Sequence, residues 1–477
     1  MVYCYNWNES SSGGRSALPP GRNGGEGGLK RTGRAVAALA LAAVLSGLLS
    51  GCTGLRFGSV EELYALPSLP AEYQALEESI NALIDEGAEY AAPSSGSNIQ
   101  PVQLVDLDGD GQEEALAFMR KPAEERPLKI YIFSPEEGGY RRSAVLEGSG
   151  SAIFSIVYSD LDGDGRTELV VGWKTASEVQ ALTVYTLRSG QPEELLRTPY
   201  VKYALVDLND SGCSELVVFR ADTDGHGLAE MYGWQDGTLA LQSSSRISVS
   251  MAELSNLGRV TSGALRDGTP ALFVVGVVDS SVEITDILTA QDGELRNIVL
   301  SGITGTSTEV ARFLSLYPTD INGDRITEVP VPVLLTGSSE EQSYYRVEWR
   351  SYDASGAFER AMSAYHSTED GWYLVLPESW RDRVLVRREL GAEESTTVFS
   401  YRSGLDQVDF MKISAVTGNS REIKAVRGGR FILSRRAETI YCAELLAGNA
   451  DWPSAMTEDE LRTAFNLVTE EWQAGDN

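Results

Sequence analysis

The chain has 477 residues, 42% of them apolar, 23% charged and 47 of them glycine, the make-up of a turn-rich globular protein rather than a disordered or membrane-embedded one. Its 69 acidic against 40 basic residues give a formal charge of −29, which argues against a nucleic-acid partner, since that needs clustered Lys and Arg, and favours cations. Cys4, Cys52, Cys213 and Cys442 are scattered without a CxxC pair and His226 and His366 are the only histidines, so zinc-ribbon, thioredoxin-like and His-rich metal sites are not supported.

Residues 1–29 are polar, Gly/Ser-rich and aperiodic, which fits either a disordered leader or a start codon placed too early. Lys30, Arg31 and Arg34 then precede a nearly pure apolar run at 35–49, the charged and apolar regions of a secretory signal, and short for a membrane span. Leu49-Ser50-Gly51-Cys52 closes the run and resembles the lipobox of bacterial lipoproteins. That resemblance implies cleavage before Cys52, a lipid on its thiol, and an extracytoplasmic protein anchored to the cell membrane. An uncleaved signal anchor is the alternative, and it leaves the same domain outside. Residues 1–51 hold five basic and two acidic side chains, so their removal takes the formal charge from −29 to −32.

Residues 52–69 read as a tether, irregular around Pro67 and Pro70. Within 70–96, residues 71–86 form an expected helix with Tyr73, Leu76, Ile80, Leu83 and Ile84 on one face and Gly87 as its stop, followed by the loop 92–97. Such a stripe docks on its own domain more often than on a partner.

From there a short motif recurs. Asp106-Leu107-Asp108-Gly109-Asp110-Gly111-Gln112-Glu113-Glu114 is copy 1, and Asp160-Leu161-Asp162-Gly163-Asp164-Gly165-Arg166-Thr167-Glu168 is copy 2. Copy 3 is Asp207-Leu208-Asn209-Asp210-Ser211-Gly212-Cys213-Ser214-Glu215, and copy 4 is Asp320-Ile321-Asn322-Gly323-Asp324-Arg325-Ile326-Thr327-Glu328. Their first residues lie 54, 47 and 113 apart, and the double interval holds a worn copy at 263–275 that keeps a turn and a strand but few ligands. Between copies come strand, Gly-containing turn and strand, as at 129–146 and 229–241. Four short strands in about 50 residues are the mark of a propeller blade. The expected fold is all-β, a β-propeller of six or seven four-stranded blades over 97–445, with seven preferred and further blades read at 372–387 and 431–444. Residues 446–477 follow, with a capping box at 457–460 opening a helix that carries Leu461, Phe465, Val468 and Trp472.

Acidic or amide oxygens at positions 1, 3 and 5 let a tight turn aim hard ligands at one point, and glycine at position 6 permits the turn that brings in the position-7 carbonyl. That chemistry suits calcium. Unlike an EF-hand, the closing acid stands at position 9 and a strand follows. The candidate ligands are Asp106, Asp108, Asp110, Gln112 and Glu114; Asp160, Asp162, Asp164, Arg166 and Glu168; Asp207, Asn209, Ser211 and Glu215; and Asp320, Asn322, Asp324 and Glu328, where Gln112 and Arg166 offer backbone carbonyls. Ligand charge ranks copies 1 and 2 above copy 3, while copy 4 puts Arg325 where glycine is wanted. Asp-rich turns that close on their own backbone without metal are the alternative.

These copies, each followed by a strand, resemble FG-GAP or VCBS-type repeats, the calcium-bearing blades found also in integrin alpha chains. The resemblance implies a calcium-braced propeller whose other loops recognise a protein or glycan, hence a binding, adhesion or scaffolding module and not an enzyme. No nucleophile elbow, HExxH or phosphate loop is present. A carbohydrate-active enzyme and an envelope protein without soluble ligand are the alternatives. Trp173, Trp234, Trp349, Trp372 and Trp380 read as core, or, if exposed together, as a sugar platform.

Overall fold

A computed structural model describes residues 71–175, 180–188, 190–335 and 343–468. The expected signal segment 1–51, the lipidation site Cys52 and the tether 52–69 lie outside the described residues. Among those described, no helix is long and apolar enough to cross a membrane.

The described chain is all-β apart from short helices, and its strands form six antiparallel sheets of four or five strands. The sheets follow one another in sequence. In the second, 152–159, 168–174, 180–188 and 191–200 pair in chain order, and the third repeats this with 202–206, 215–221, 227–235 and 238–247. The strands that follow the first three motif copies are buried along most of their length, as in Glu114–Arg120 and Glu168–Lys174. Such strands are covered on both faces, and this is why they read as continuous apolar runs. The fourth strand of each early sheet instead alternates, as in Gly139–Gly148, because only one of its faces is covered.

Five apolar clusters each join a sheet to the next. Leu116, Phe118 and Ile130 meet Ile153, Leu169 and Trp173 between the first two sheets, and comparable clusters join the second to the third and so on to the sixth. Among the described residues no such cluster joins the sixth sheet to the first. The outer face of the first sheet is covered by the N-terminal helix Ala71–Asp85, whose Leu76, Ile80 and Leu83 pack on Ala115, Ala117, Met119, Tyr131 and Phe133. Gly87 ends that helix in a left-handed conformation (φ +91°). Its N–H donates to the Ile84 carbonyl and that of Ala88 to Leu83, which satisfies two orphan carbonyls. Ile84, expected on the apolar face, is 38% exposed.

A feature invisible in the sequence is shared by five of the sheets. One long hairpin in each carries a β-bulge, at Ile132/Phe133, Val184/Tyr185, Met231/Tyr232, Trp349/Arg350 and Phe399/Ser400. Bulges add local twist, so the same bend recurs from sheet to sheet. In the fourth sheet the outer edge is split between Glu294–Asn297 and Glu309–Arg312, which pair with the two halves of one strand.

Two expectations are corrected at the C-terminal end. The strands at 372–387 and 431–444 are not two further units. Trp372–Val375 completes the fifth sheet, and Val384–Leu390, Phe431–Arg435 and Ile440–Leu445 belong to the sixth, so the count is six and not the preferred seven. The last helix is also shorter than its periodicity suggested. It starts at the expected capping box, with the Thr457 hydroxyl accepting from Glu460 N–H and the Glu460 carboxylate accepting from Thr457 N–H, but spans only Glu458–Ala464. Phe465–Leu467 then pairs with Trp372–Leu374 as an added strand, because the open edge there offers backbone hydrogen bonds that a further helical turn would forgo. Trp472 lies outside the described residues.

Candidate metal centre

Each motif copy is the connection of a hairpin whose two strands pair directly. Val105 stands opposite Glu114, Ser159 opposite Glu168, Val206 opposite Glu215, and Thr319 bridges Glu328. The position-9 glutamate is therefore the first residue of a buried strand, held at the base of its own loop. In all four copies its Oε2 accepts the N–H of position 2: Leu107, Leu161 and Leu208 at 2.9 Å and Ile321 at 3.2 Å.

The loops share one backbone. Positions 4 and 6 are both left-handed: Gly109 and Gly111, Gly163 and Gly165, Asp210 and Gly212, Gly323 and Arg325. Arg325 thus adopts the conformation expected of glycine (φ +72°), at a strain of roughly 1 kcal/mol. The position-1 carboxylate organises the turn from inside, since both oxygens of Asp106 accept loop N–H groups, from Gly109 and Gly111, as do those of Asp160, from Gly163 and Gly165.

This fold brings the acids together. One oxygen from each of Asp106, Asp108 and Glu114 lies within 4.8 Å of the others, and the same holds for Asp160, Asp162 and Glu168 and for Asp320, Asp324 and Glu328. Asp110 and Asp164 fall outside their groups and accept the N–H of Gln112 and Arg166 instead. Copy 3 gathers no third carboxylate: Asp207 and Glu215 are joined by Asn209, whose amide donates to Glu215 Oε1, while the N–H of Ser211 is held by Asp207 and Asn209. Copy 4, ranked lowest from its sequence, therefore gathers as many acids as copies 1 and 2.

The electrostatics of these acids is unrelieved. Burial first, and the neighbouring aspartates second, push Glu114 and Glu168 above the usual carboxylate range, and Glu215 rises likewise beside Asp207. Glu328, fully buried, is pushed up to about 7 by desolvation and by Asp324 and Asp320. Among the described residues, none of the motif carboxylates forms an ion pair with Lys or Arg. Elsewhere in the chain carboxylates are paired: Glu230 with Arg220, and Asp409 with Arg387 at 2.7 Å. Buried Asp286 is instead satisfied by hydrogen bonds from Ser248, Val249 and Asn297. Three carboxylates a few ångströms apart without a counter-charge repel by on the order of 1–4 kcal/mol per contact at surface-like dielectric. Glu328 adds a specific vacancy in its bonding, because its Oε1 is buried without any hydrogen-bond partner, whereas Glu168 Oε1 accepts from Thr186. An all-oxygen, acid-rich donor set with a buried orphan oxygen fits a hard cation.

A fourth group was missed from the sequence. Asp222, Asp224 and His226 also converge within 4.8 Å, on the turn between 215–221 and 227–235. Its sequence repeats the motif spacing, with Asp222, Asp224 and His226 at positions 1, 3 and 5, Gly225 and Gly227 at 4 and 6 and Glu230 at 9, but Glu230 is ion-paired to Arg220 rather than joined to the group. The Asp222 carboxyl is already held below its ordinary range by the N–H groups of His226 and Asp224, so the group has no comparable strain.

The aromatic alternative resolves toward core. Trp173, Trp349, Trp372 and Trp380 are fully buried, and Trp234 packs against the cluster between the second and third sheets. A comparison with protein-family models finds none that matches the chain, and a comparison with curated proteins finds no match either.

Proposed function

We propose that the chain is a calcium-braced binding or scaffolding module of the FG-GAP or VCBS type, a six-bladed propeller-like stack anchored outside the cell membrane through Cys52. The observation that carries this reading is the three-fold recurrence of acid groups, each with one buried glutamate and no Lys or Arg partner among the described residues, at the base of equivalent hairpins. In copies 1 and 2, Asp106, Asp108 and Glu114, and Asp160, Asp162 and Glu168, would hold calcium; in copy 4, Asp320, Asp324 and Glu328 would. Bound there, calcium supplies the charge that the protein lacks and fixes each loop against the strand that follows. The motif loops then serve as braces, which leaves the remaining connections of the stack for a protein or glycan ligand.

Calorimetric titration of calcium into the chelator-stripped chain, with thermal unfolding alongside, tests the metal. At least three equivalents and a clear rise in melting temperature are expected; absence of both heat and shift would sink the proposal. The anchoring is tested separately by expressing the chain with Cys52→Ser in a bacterial host. The unmodified protein should sediment with membranes and the variant should be released, and equal partition of the two would refute the lipid on Cys52.

A further inference from the structure

We infer that copies 1 and 2 load as one coupled pair, so that calcium held in either loop raises the affinity of the other. The inference rests on the calcium reading above. The two loops are bonded across the gap between the first and second sheets. Thr167 N–H donates to the Leu107 carbonyl at 2.9 Å, and the Thr167 hydroxyl donates to the Asp106 carbonyl at 3.3 Å.

Both ends of this bridge belong to ligand sets. Thr167 is flanked by Arg166 and Glu168 of copy 2. Leu107 N–H is held by Glu114 of copy 1, and Asp106 is itself a candidate ligand. A continuous path therefore runs from Glu114 through the Leu107 peptide and Thr167 to Glu168. There is also no slack between the turns. A Cβ placed on Gly109 would stand 2.4 Å from the Gly165 carbonyl oxygen, so the glycine-bearing backbones are in direct contact. Ordering one loop removes motion that the second would otherwise lose on binding, and a shared hydrogen-bonded element carries that effect between sites.

The other loops are joined differently. Copy 3 approaches copy 2 through the Cys213 thiol, which lies 2.9 Å from where a Cβ on Gly163 would be. Copy 4 makes the same kind of bridge as copy 2, with Thr327 N–H donating to the Ala264 carbonyl, but its neighbour is the worn turn that gathers no acids. That turn carries its own fixed cation, Arg266, ion-paired to Asp353 at 2.6 Å. Copy 4 is thus the natural control for an uncoupled site.

The test uses the full chain, stripped with chelator, in an Asp207→Asn/Asp320→Asn background that leaves copies 1 and 2. Calcium is titrated calorimetrically into this protein and into versions that also carry Asp160→Asn or Asp106→Asn, which leave one site each. The overall two-site association constant is expected to exceed the product of the two single-site constants by about tenfold, within the usual range for coupled sites. Thr167→Val keeps every ligand and removes the hydroxyl bridge, so it should lower that ratio while both equivalents are still bound. Restoring Asp320 should add one equivalent without changing the ratio. A ratio of one with two sites filled overturns the coupling and leaves the calcium reading standing. If the chain takes up no calcium in any background, both are overturned. Melting of each stripped variant identifies any that does not fold, and for such a variant Asp162→Asn in copy 2 or Asp108→Asn in copy 1 replaces it.

Discussion

At the scale of single residues, the chain handles buried acid in three ways, and Glu283 shows what happens when none is complete. Its neighbours supply only a long contact from the Thr285 hydroxyl, 3.4 Å away, and burial pushes its carboxyl up to about 8. The folded state therefore keeps a proton that the unfolded chain releases near the ordinary glutamate value of 4.5. With the folded value raised, the stabilisation is fully present below about pH 4.5, declines as pH rises, and is gone above about pH 8. Glu283→Gln should remove this slope: in chelator-treated protein, its melting temperature relative to the parent rises steadily from pH 5 to pH 8. A difference that stays constant across that range would show that Glu283 is ionised in the folded protein. Asp286, on the same strand, is also pushed up by burial, but its carboxylate accepts four hydrogen bonds that oppose the shift, so amidation there would break bonds as well as relieve burial.

At the scale of elements, the hairpin loops were the most legible part of the chain and the sheet edges the least. A motif states its own geometry, since glycine at positions 4 and 6 and acid at position 1 dictate two left-handed turns closing on one carboxylate, and the structure forms them even where Arg325 replaces glycine. The worn copy was legible for the same reason, its turn at 266–268 leading into the strand Pro270–Val278. What escaped was set by pairing at long range. Leu461, Phe465 and Val468 have helical spacing, yet Phe465 leaves the helix to join Trp372–Leu374, an edge more than 90 residues away in the chain. The recurring bulges escaped for a related reason, because an extra residue in one strand is defined only against its partner. Copy 4 was doubted because Arg325 stands where glycine is wanted, yet Arg325 takes the left-handed conformation and Asp320, Asp324 and Glu328 still converge. Glu328 lies deeper than its counterparts in copies 1 and 3, and depth, more than the number of acids, determines how much a counter-ion is needed.

At the scale of the whole molecule, the sheets form a series in which each is held by its neighbours, the helix Ala71–Asp85 covers one end, and the segment 447–467 is built into the other. The two ends are stabilised by different means. The first three sheets each begin with a motif loop, and their mutual clusters are mostly aliphatic. The sixth has no motif copy; instead Trp380, Tyr401, Phe410 and Trp452 stack on one another, with Tyr401 and Trp452 rings 4.9 Å apart. In such a series stability is close to a sum of local terms and nearest-neighbour interfaces, so removing a term from one end lowers protection there first. Chelation should therefore raise amide exchange most in the strands flanking copies 1 and 2, Val102–Val105, Glu114–Arg120, Ala152–Ser159 and Glu168–Lys174. Glu394–Ser403 and Asp406–Val416 of the sixth sheet should change little, because no acid loop is lodged at their base. Hydrogen exchange read by mass spectrometry, with and without chelator, checks this. Uniform loss of protection across all six sheets would mean that the series unfolds as one unit, and that the motif loops brace the whole molecule rather than the half that carries three of them.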